Sequence, residues 1–542
     1  MLWNFLTNNV PKSVTDLTEI LLKNRKILDQ ELFFNPPDPL AISVEELGLE
    51  IDALQQAKER VLLAIKNKQK ILVFGDYDAD GVSATAIMWQ SLYELGADVL
   101  PFIPNREKHG YGLTERALAE IYQQPLPALL ITVDNGIVAH QAITELQARG
   151  VDVIITDHHQ PDEELPNALA IVHSTKICGA AVAWAFIREL SEELAQNNLD
   201  LVALATVTDL MSLKGVNRAL VVAGLKVINR QPRLGLKTLI EVAGLTNQQI
   251  TSIHLGYVLG PRINAMGRLS SATDALRLIC TNNTKRANQL AQIVNNTNFD
   301  RQQLTADLYQ FAQDQAELQS AEKIIVVHSS DFHEGIIGLI AGKLTERYAK
   351  PAIVISTRGK TAKASARSVP GVNITEIIRT AHELLLEFGG HPMAAGFGFE
   401  PDKLTAVVDY LMNYGRENIS SDLLQKSLEI DCLLPIELID LQVIDLIAKF
   451  APFGQGNHLP LFALADMRVT EIKILGKQAE HLKLTLTSAG NQNKVVSLFW
   501  GKAELAESLT IDSLVDVAGV IDINEWQGVK TPQLIGKDLK LK

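Results

Sequence analysis

Cysteine is scarce. Cys178, Cys280 and Cys432 are the three thiols in 542 residues, far apart and without a CxxC, which leaves no basis for a disulfide framework or a thiolate zinc site. Long apolar runs are missing too: the stretch 180–187 falls far short of the ~18 residues a membrane span needs. The opening MLWNFLTNNVPKS has no cationic stretch leading into an apolar one, so the expectation is a soluble, cytoplasmic chain. Positive charge is not in excess, with 50 Lys and Arg against 63 Asp and Glu and a net charge of −13. Overall charge therefore does not point to a nucleic acid, although screening over about 8 Å leaves room for a local basic groove. What remains is ordinary globular material, 47% hydrophobic and 21% charged. At roughly 100 to 200 residues per domain, the length implies three or four domains.

Short aliphatic runs at 71–74, 99–103, 129–133 and 153–155 alternate with helical spacing at 83–95, 114–122 and 138–149. That alternation predicts a parallel α/β sheet. Residues 180–230 read as helical, and 274–322, rich in Gln and Asn without proline, as a helical connector. A second α/β unit starts at Lys323, with strands at 324–327 and 352–355 around a helix at 336–348. From 428 onward alternating runs predict a compact antiparallel β-domain.

Acidic residues sit where the predicted strands end. Asp76, Asp78 and Asp80 in GDYDADG follow the first strand, and alternate residues of an extended chain share a face, so three carboxylates crowd together unless cations neutralise them. A lone DxD reads equally well as a helix cap. Two further strand ends carry Asp134-Asn135-Gly136 and Asp157-His158-His159, and the carboxyl ends of a parallel sheet converge on one crevice. Asp209 closes an otherwise apolar helix-like stretch. Carboxylates with imidazoles and no thiolate suit two Mn²⁺ or Mg²⁺ ions, the equipment of phosphoester hydrolysis.

The order GDYDADG, VDNG, DHH and the later Asp209 resembles the DHH phosphoesterase superfamily. On that reading Asp76, Asp78, Asp80, Asp134, His158 and Asp209 hold or neighbour the metals, with Asp134 as the bridge. His159 touches a metal or the scissile phosphate, and Asp157 orients an imidazole.

A second set of segments suits phosphate. Gly389-Gly390-His391 lets backbone N–H groups approach an anion beside an imidazole, or marks a tight turn. Ser365 and Arg367 share one face of a strand, and GPRINAMGR offers Arg262 and Arg268, although an arginine in a plain salt bridge is the simpler reading. GGHPMAAGF is similar to the DHHA1 domain that accompanies DHH domains. FIPNREKHGYGL, GPRINAMGRL, FHEGIIGLIAGKL and SARSVPGVNI further resemble the RecJ branch of single-strand-specific exonucleases, over roughly residues 40–540. The resemblance adds Arg106 to the phosphate-binding set. It implies a C-terminal OB-fold, where Lys473, Lys477, Trp500 and Trp526 are candidate nucleic-acid contacts and Phe499 reads as core.

The implied architecture is α/β: an N-terminal segment 1–50, a DHH domain 51–230, a connector 231–322, a DHHA1 lobe 323–418 and an OB barrel 428–542. The implied activity is 5′→3′ hydrolysis of single-stranded DNA to 5′-mononucleotides in repair and recombination, beside a single-strand-binding protein and a helicase. Two alternatives stay open, a phosphodiesterase for short oligonucleotides or cyclic dinucleotides and a non-catalytic replication scaffold. One departure stands out: Val172-His173-Ser174 occupies the place of the family's usual Asn-Pro pair.

Overall fold

The computed structural model describes residues 1–230, 232–488 and 493–542; Gln231, where the connector was expected to begin, lies outside them. The first lobe is built on five parallel strands in the order Asp98–Phe102, Lys70–Phe74, Leu129–Val133, Asp152–Asp157 and Ala170–His173. The central strand is buried at all five positions, as its unbroken aliphatic sequence requires when helices cover both faces. The helices Ala79–Glu94 and Gly179–Leu190 cover one face, and Leu199–Thr208 packs against both. Ile143, Leu146 and Leu118, from the helices His140–Ala148 and Glu115–Ile121, cover the other. The edge strand Ala170–His173 escaped the sequence reading because four residues, only two of them buried, are too few to show a period.

The later part of the expected connector, 274–322, is covered by two helices, Ala272–Cys280 and the 34-residue Thr284–Glu317, parted where the Asn283 side chain caps the second by accepting from Arg286 N–H. Further helices, among them Leu234–Val242 and Gly260–Leu269, fill the part before it. The second lobe carries a mixed sheet in the order Glu387–His391, Ala394–Phe399, Ala362–Arg367, Ala352–Ser356 and Ile325–Ser329. Its only parallel pair is the last one.

Five C-terminal strands close into a barrel: Phe462–Leu475, His481–Ser488, Lys494–Phe499, Val529–Leu541 and Leu514–Trp526, the last returning to the first. The pairing is antiparallel except where Lys494–Phe499 runs alongside Val529–Leu541. Register shifts between Leu464 and Met467 and between Val469 and Glu471 bend the first strand, so that it serves both seams. Phe499 is buried in the barrel core.

The N-terminal segment belongs with this barrel. Leu2–Phe5 pairs in parallel with Ser427–Ile430, and the helix Val14–Asn24 places Leu17 and Leu21 in the core that holds Phe450 and Phe462. Buried Arg25 bonds Asp431 at 2.9 Å and Asn457 Oδ1 at 3.1 Å. Arg218 of the first lobe donates to the carbonyls of Phe33, Phe450 and Ala451 and ties all three parts together. The three cysteines are free thiols, and among the described residues no helix is long and apolar enough to cross a membrane.

Candidate active site

Every acidic strand end opens on one edge of the parallel sheet. After Lys70–Phe74 the chain turns, and Asp78 caps the helix Ala79–Glu94 by accepting Gly81 N–H at 2.9 Å. The cap reading and the ligand reading of Asp78 are thus compatible, since a carboxylate has a second oxygen to offer. Asp80 accepts the N–H groups of Gly179 and Ala180, both at 2.7 Å, at the start of the next helix. A side chain on Gly179 would stand 2.4 Å from Asp134 Oδ1, so only glycine lets this helix end reach the carboxylates. Gly179 and Asn264, whose Oδ1 accepts Ala79 N–H at 2.7 Å, were not singled out from the sequence. Their role is visible only once distant segments meet.

Asp134 sits in the left-handed region at φ 60, held by its N–H to Thr156 O at 2.9 Å. That conformation is unusual outside glycine and asparagine, and it turns the carboxylate back over the strand ends. His158 Nε2 lies 3.1 Å from Asp134 Oδ1, 3.6 Å from Asp80 Oδ2 and 3.7 Å from Asp209 Oδ2. Asp157 stands outside this cluster: it accepts the N–H groups of Ile137, His158 and His159 and the Nδ1 of His159 at 2.7 Å. Its side-chain partner is the His159 imidazole. His159 Nε2 is 2.8 Å from the Tyr111 hydroxyl. His173, at the departure from the family pattern, is 2.7 Å from the His159 carbonyl through its Nε2 and so props the same loop.

Among the described residues three groups could each hold a cation: Asp76, Asp78 and Asp134; Asp80, His158 and Asp209; and Asp134, His158 and His159. Asp134 occurs in two of them. The electrostatics ask for positive charge. Burial and the neighbouring carboxylates raise the pKa of Asp76, Asp78 and Asp134 and push Asp209 up to about 8. Buried Asp76 Oδ1 has no hydrogen-bond partner, and Asp134 Oδ1 has none either, its 3.1 Å approach to His158 Nε2 lacking hydrogen-bond alignment. Burial lowers His158, leaving a neutral imidazole suited to ligation. Burial also disfavours charge on His159, but its bond to Asp157 and the surrounding carboxylates carry it up to about 9. Unpaired carboxylate oxygens, elevated carboxyl pKa values and an all-O/N donor set fit divalent cations of the Mn²⁺ or Mg²⁺ type.

Beside the carboxylates stands a crescent of arginines. Arg106 lies over the Tyr77 ring at 5.5 Å, and Arg268 donates to Gly335 O at 3.1 Å. Burial, then Arg106, Arg301 and Arg367, lower Arg268 to about 10, which places those three guanidinium groups within electrostatic reach of Arg268. Arg262 donates to Asn295 Oδ1 at 3.1 Å and to Val258 O at 2.7 Å. Burial and then Arg262 lower Arg301, which the sequence reading missed because NFDRQQL looks like any polar stretch of long helix. Among the described residues none of these five arginines has a carboxylate partner, which removes the plain salt-bridge alternative.

In the second lobe the cross-strand register sets Ser365 opposite Gly396 and Gly396 opposite Gly389, and likewise Arg367 opposite Ala394 and Ala394 opposite His391. Opposed residues share a face, so two rows of small residues form a floor edged by Ser365, Arg367 and His391. Gly389 and Gly390 lie in an exposed edge strand rather than in the tight turn considered above. Gly338, in the first turn of the helix Ile337–Tyr348, approaches so closely that a Cβ there would meet Arg367 Nη2 and Ser365 Oγ at 3.0 Å.

On the barrel, exposed Lys473 is register-paired with Lys483, and Trp500 packs edge-on against His481 at 4.7 Å. Lys477 is exposed in the adjoining turn. Trp526 is exposed at the tip of the final hairpin. Because Val496 pairs with Gln533 in parallel, Trp500 falls level with Lys537, eight residues from Val529 at that tip and about 26 Å at 3.3 Å per residue. The two tryptophans therefore do not form one surface.

Family models match residues 70–206 as the DHH family N-terminal domain, 321–415 as the DHHA1 domain and 430–538 as the RecJ OB domain. The single-stranded-DNA-specific exonuclease RecJ of Thermus thermophilus is 34% identical over 91% of this chain and 72% of its own length. The RecJ of Bacillus subtilis is also 34% identical, and there this chain spans 63% of the relative's length. The crystal structure of Thermus thermophilus RecJ in complex with Mn²⁺ superposes with a TM-score of 0.85 at 31% identity, covering 99% of this chain and 79% of that one. With the three domains in that order and this identity along nearly its whole length, the chain belongs to the RecJ family.

Proposed function

We propose that this chain is a metal-dependent exonuclease that hydrolyses single-stranded DNA to 5′-mononucleotides, in the 5′→3′ direction its family implies, in DNA repair and recombination. The observation that carries the reading is the juxtaposition of buried, partner-poor carboxylates with five arginines that have no carboxylate partner. A phosphodiester is the ligand that satisfies both at once.

Bound divalent cations would neutralise the carboxylates and polarise the water and the phosphate that react. Asp76, Asp78, Asp80, Asp134, His158 and Asp209 are the residues that would hold two of them. The protein's own part is positioning and charge. Arg106, Arg262, Arg268, Arg301 and Arg367, with Ser365, His391 and the Gly389-Gly390 backbone, grip the terminal phosphates. Asp157 fixes Nδ1 of His159 and leaves Nε2 facing Tyr111 and the crevice, where a protonated imidazole stabilises charge building on the phosphate. Water oxygen bonds phosphorus, the P–O3′ bond breaks, and the released 3′-oxygen takes a proton.

We divide the molecule into an N-terminal segment over 1–50, whose first part packs on the barrel, a DHH domain over 51–230, a connector over 231–322, a DHHA1 lobe over 323–418 and an OB barrel over 428–542. The barrel supplies grip on long strands through Lys473, Lys477 and Trp500, a surface that an enzyme for cyclic dinucleotides does not need. Trp526 stands apart and would meet a strand at another point. The enzyme would work in the cytoplasm beside a single-strand-binding protein and a helicase, which coat and generate its substrate. The test is Mn²⁺-dependent release of mononucleotides from long single strands, compared with duplex and with dinucleotides. A preference for dinucleotides, or no hydrolysis with any cation, would overturn it.

A further inference from the structure

The short helix Arg106–His109 and the turn after it aim three side chains outward. Arg106 lies over Tyr77, Glu107 Oε1 is 3.6 Å from His333 Nε2 in the second lobe, and Tyr111, just beyond, meets His159. Four residues cannot hold a helix by their own hydrogen bonds, so something else fixes these tips. The one buried side chain of the helix is His109. Its Nδ1 accepts the Asn105 N–H at 3.0 Å, which uses that lone pair and leaves the ring proton of the neutral form on Nε2. Nε2 then donates to Glu120 Oε2 at 3.1 Å, on the helix Glu115–Ile121. The His109 carbonyl accepts the Thr114 hydroxyl at 2.7 Å, and Thr114 caps that same helix. The ring lies 5.8 Å from Phe102, at the end of a sheet strand.

We propose that His109 is a positioning residue for catalysis: it pins the loop 105–111 to the sheet and to the helix behind it, and so sets Arg106 and Tyr111 against the terminal nucleotide. The proposal rests on the reading of Arg106 as a phosphate contact and of Tyr111 as the neighbour of a catalytic His159. The plainer role, a core histidine that only adds stability, makes a different prediction.

The experiment uses the full chain with Mn²⁺ and a 5′-phosphorylated single strand, and measures kcat, KM, Mn²⁺ affinity and melting temperature. His109→Ala is expected to lower kcat/KM by about tenfold or more, chiefly through KM, with Mn²⁺ affinity unchanged. His109→Gln, whose amide can accept from Asn105 and donate to Glu120, is expected to stay within about threefold of wild type. In an Arg106→Ala/Tyr111→Phe background the added His109→Ala should have no further effect, because His109 acts only through those two side chains. If Arg106→Ala and Tyr111→Phe are both silent, the reading beneath the proposal fails. If they impair turnover while His109→Ala is silent, or multiplies with them as an independent defect, the pinning role alone fails. If His109→Ala melts below the assay temperature, Glu120→Ala carries the same comparison, read against Lys108→Ala because Lys108 pairs with the same carboxylate.

Discussion

Asp134 combines a left-handed backbone, full burial and a carboxylate oxygen without a hydrogen-bond partner. Such an arrangement is unfavourable in the absence of cations, so removing the charge should relieve it. Asp134→Ala and Asp78→Ala are each expected to abolish hydrolysis, and Asp134→Asn, which removes the charge yet still suits a left-handed backbone, to leave the metal-free protein melting at the same temperature or higher; activity assays and thermal melts in chelator check both. The same crowding makes metal-free stability depend on pH. Asp209 is held at about 8 in the folded chain, against an ordinary value near 3.8, so between those limits the folded state binds a proton that the unfolded state has lost. Unfolding then releases a proton, and stability falls as pH rises through that window. Chelator-treated protein should melt at lower temperature at pH 8 than at pH 5.5, saturating Mn²⁺ should reduce the difference, and Asp209→Asn should shrink it. An unchanged slope in that variant would remove Asp209 from the carboxylate cluster.

At the scale of elements, the helix Ile337–Tyr348 packs against the strand Ala362–Arg367 that carries the proposed phosphate grip. Gly338 is the point of closest approach, and a methyl there would press on both Ser365 and Arg367. Gly338→Ala is expected to lower kcat/KM by displacing Arg367, with Mn²⁺ affinity intact. Arg367→Ala and His391→Ala should each lower kcat/KM roughly ten- to a hundredfold, the range for a lost charge-assisted hydrogen bond to phosphate. Steady-state kinetics on one oligonucleotide compares all three. Wild-type values for His391→Ala would leave it a surface residue of an edge strand.

The whole molecule is held at a junction of three parts. Arg218 is 2% exposed, burial lowers its pKa to about 10, and its hydrogen bonds go to main-chain carbonyls of the N-terminal segment and the barrel. Arg218→Ala would take the Arg218 donor from the buried Phe33 carbonyl, while Phe450 O keeps the Asn457 amide at 2.8 Å, a loss of about 1 to 3 kcal/mol. It is expected to lower the melting temperature without moving the Mn²⁺ affinity of the surviving folded protein. The junction also governs how the barrel can be removed. A chain cut near 425 would strand Leu2–Phe5 and expose Leu17 and Leu21, so the barrel's share in long-strand binding is better read from Trp500→Ala with Lys473→Ala. That pair should raise KM for long strands and flatten its salt dependence, which runs at about 0.7 per neutralised phosphate on single strands.

Much of this was legible in the sequence because it is local. The strand 129–133, the acidic runs at 76–80 and the DHH triplet announce themselves within a few residues, since burial on both sides of a strand and carboxylates at its end are written in consecutive letters. The contact of Asp157 with an imidazole is local too, since two histidines follow it directly. What the chain could not show in one dimension is who meets whom across hundreds of residues. Gly179 looks like any glycine until its helix end is found against Asp80 and Asp134, and Arg301 is one polar residue among many until it joins the crescent. The partnership of residues 1–35 with the barrel, and the separation of Trp500 from Trp526, follow from strand pairing alone. Local sequence determines which elements form and what chemistry they carry. Only tertiary structure decides which of those groups share a desolvated site, because burial and close approach are properties of the assembled core.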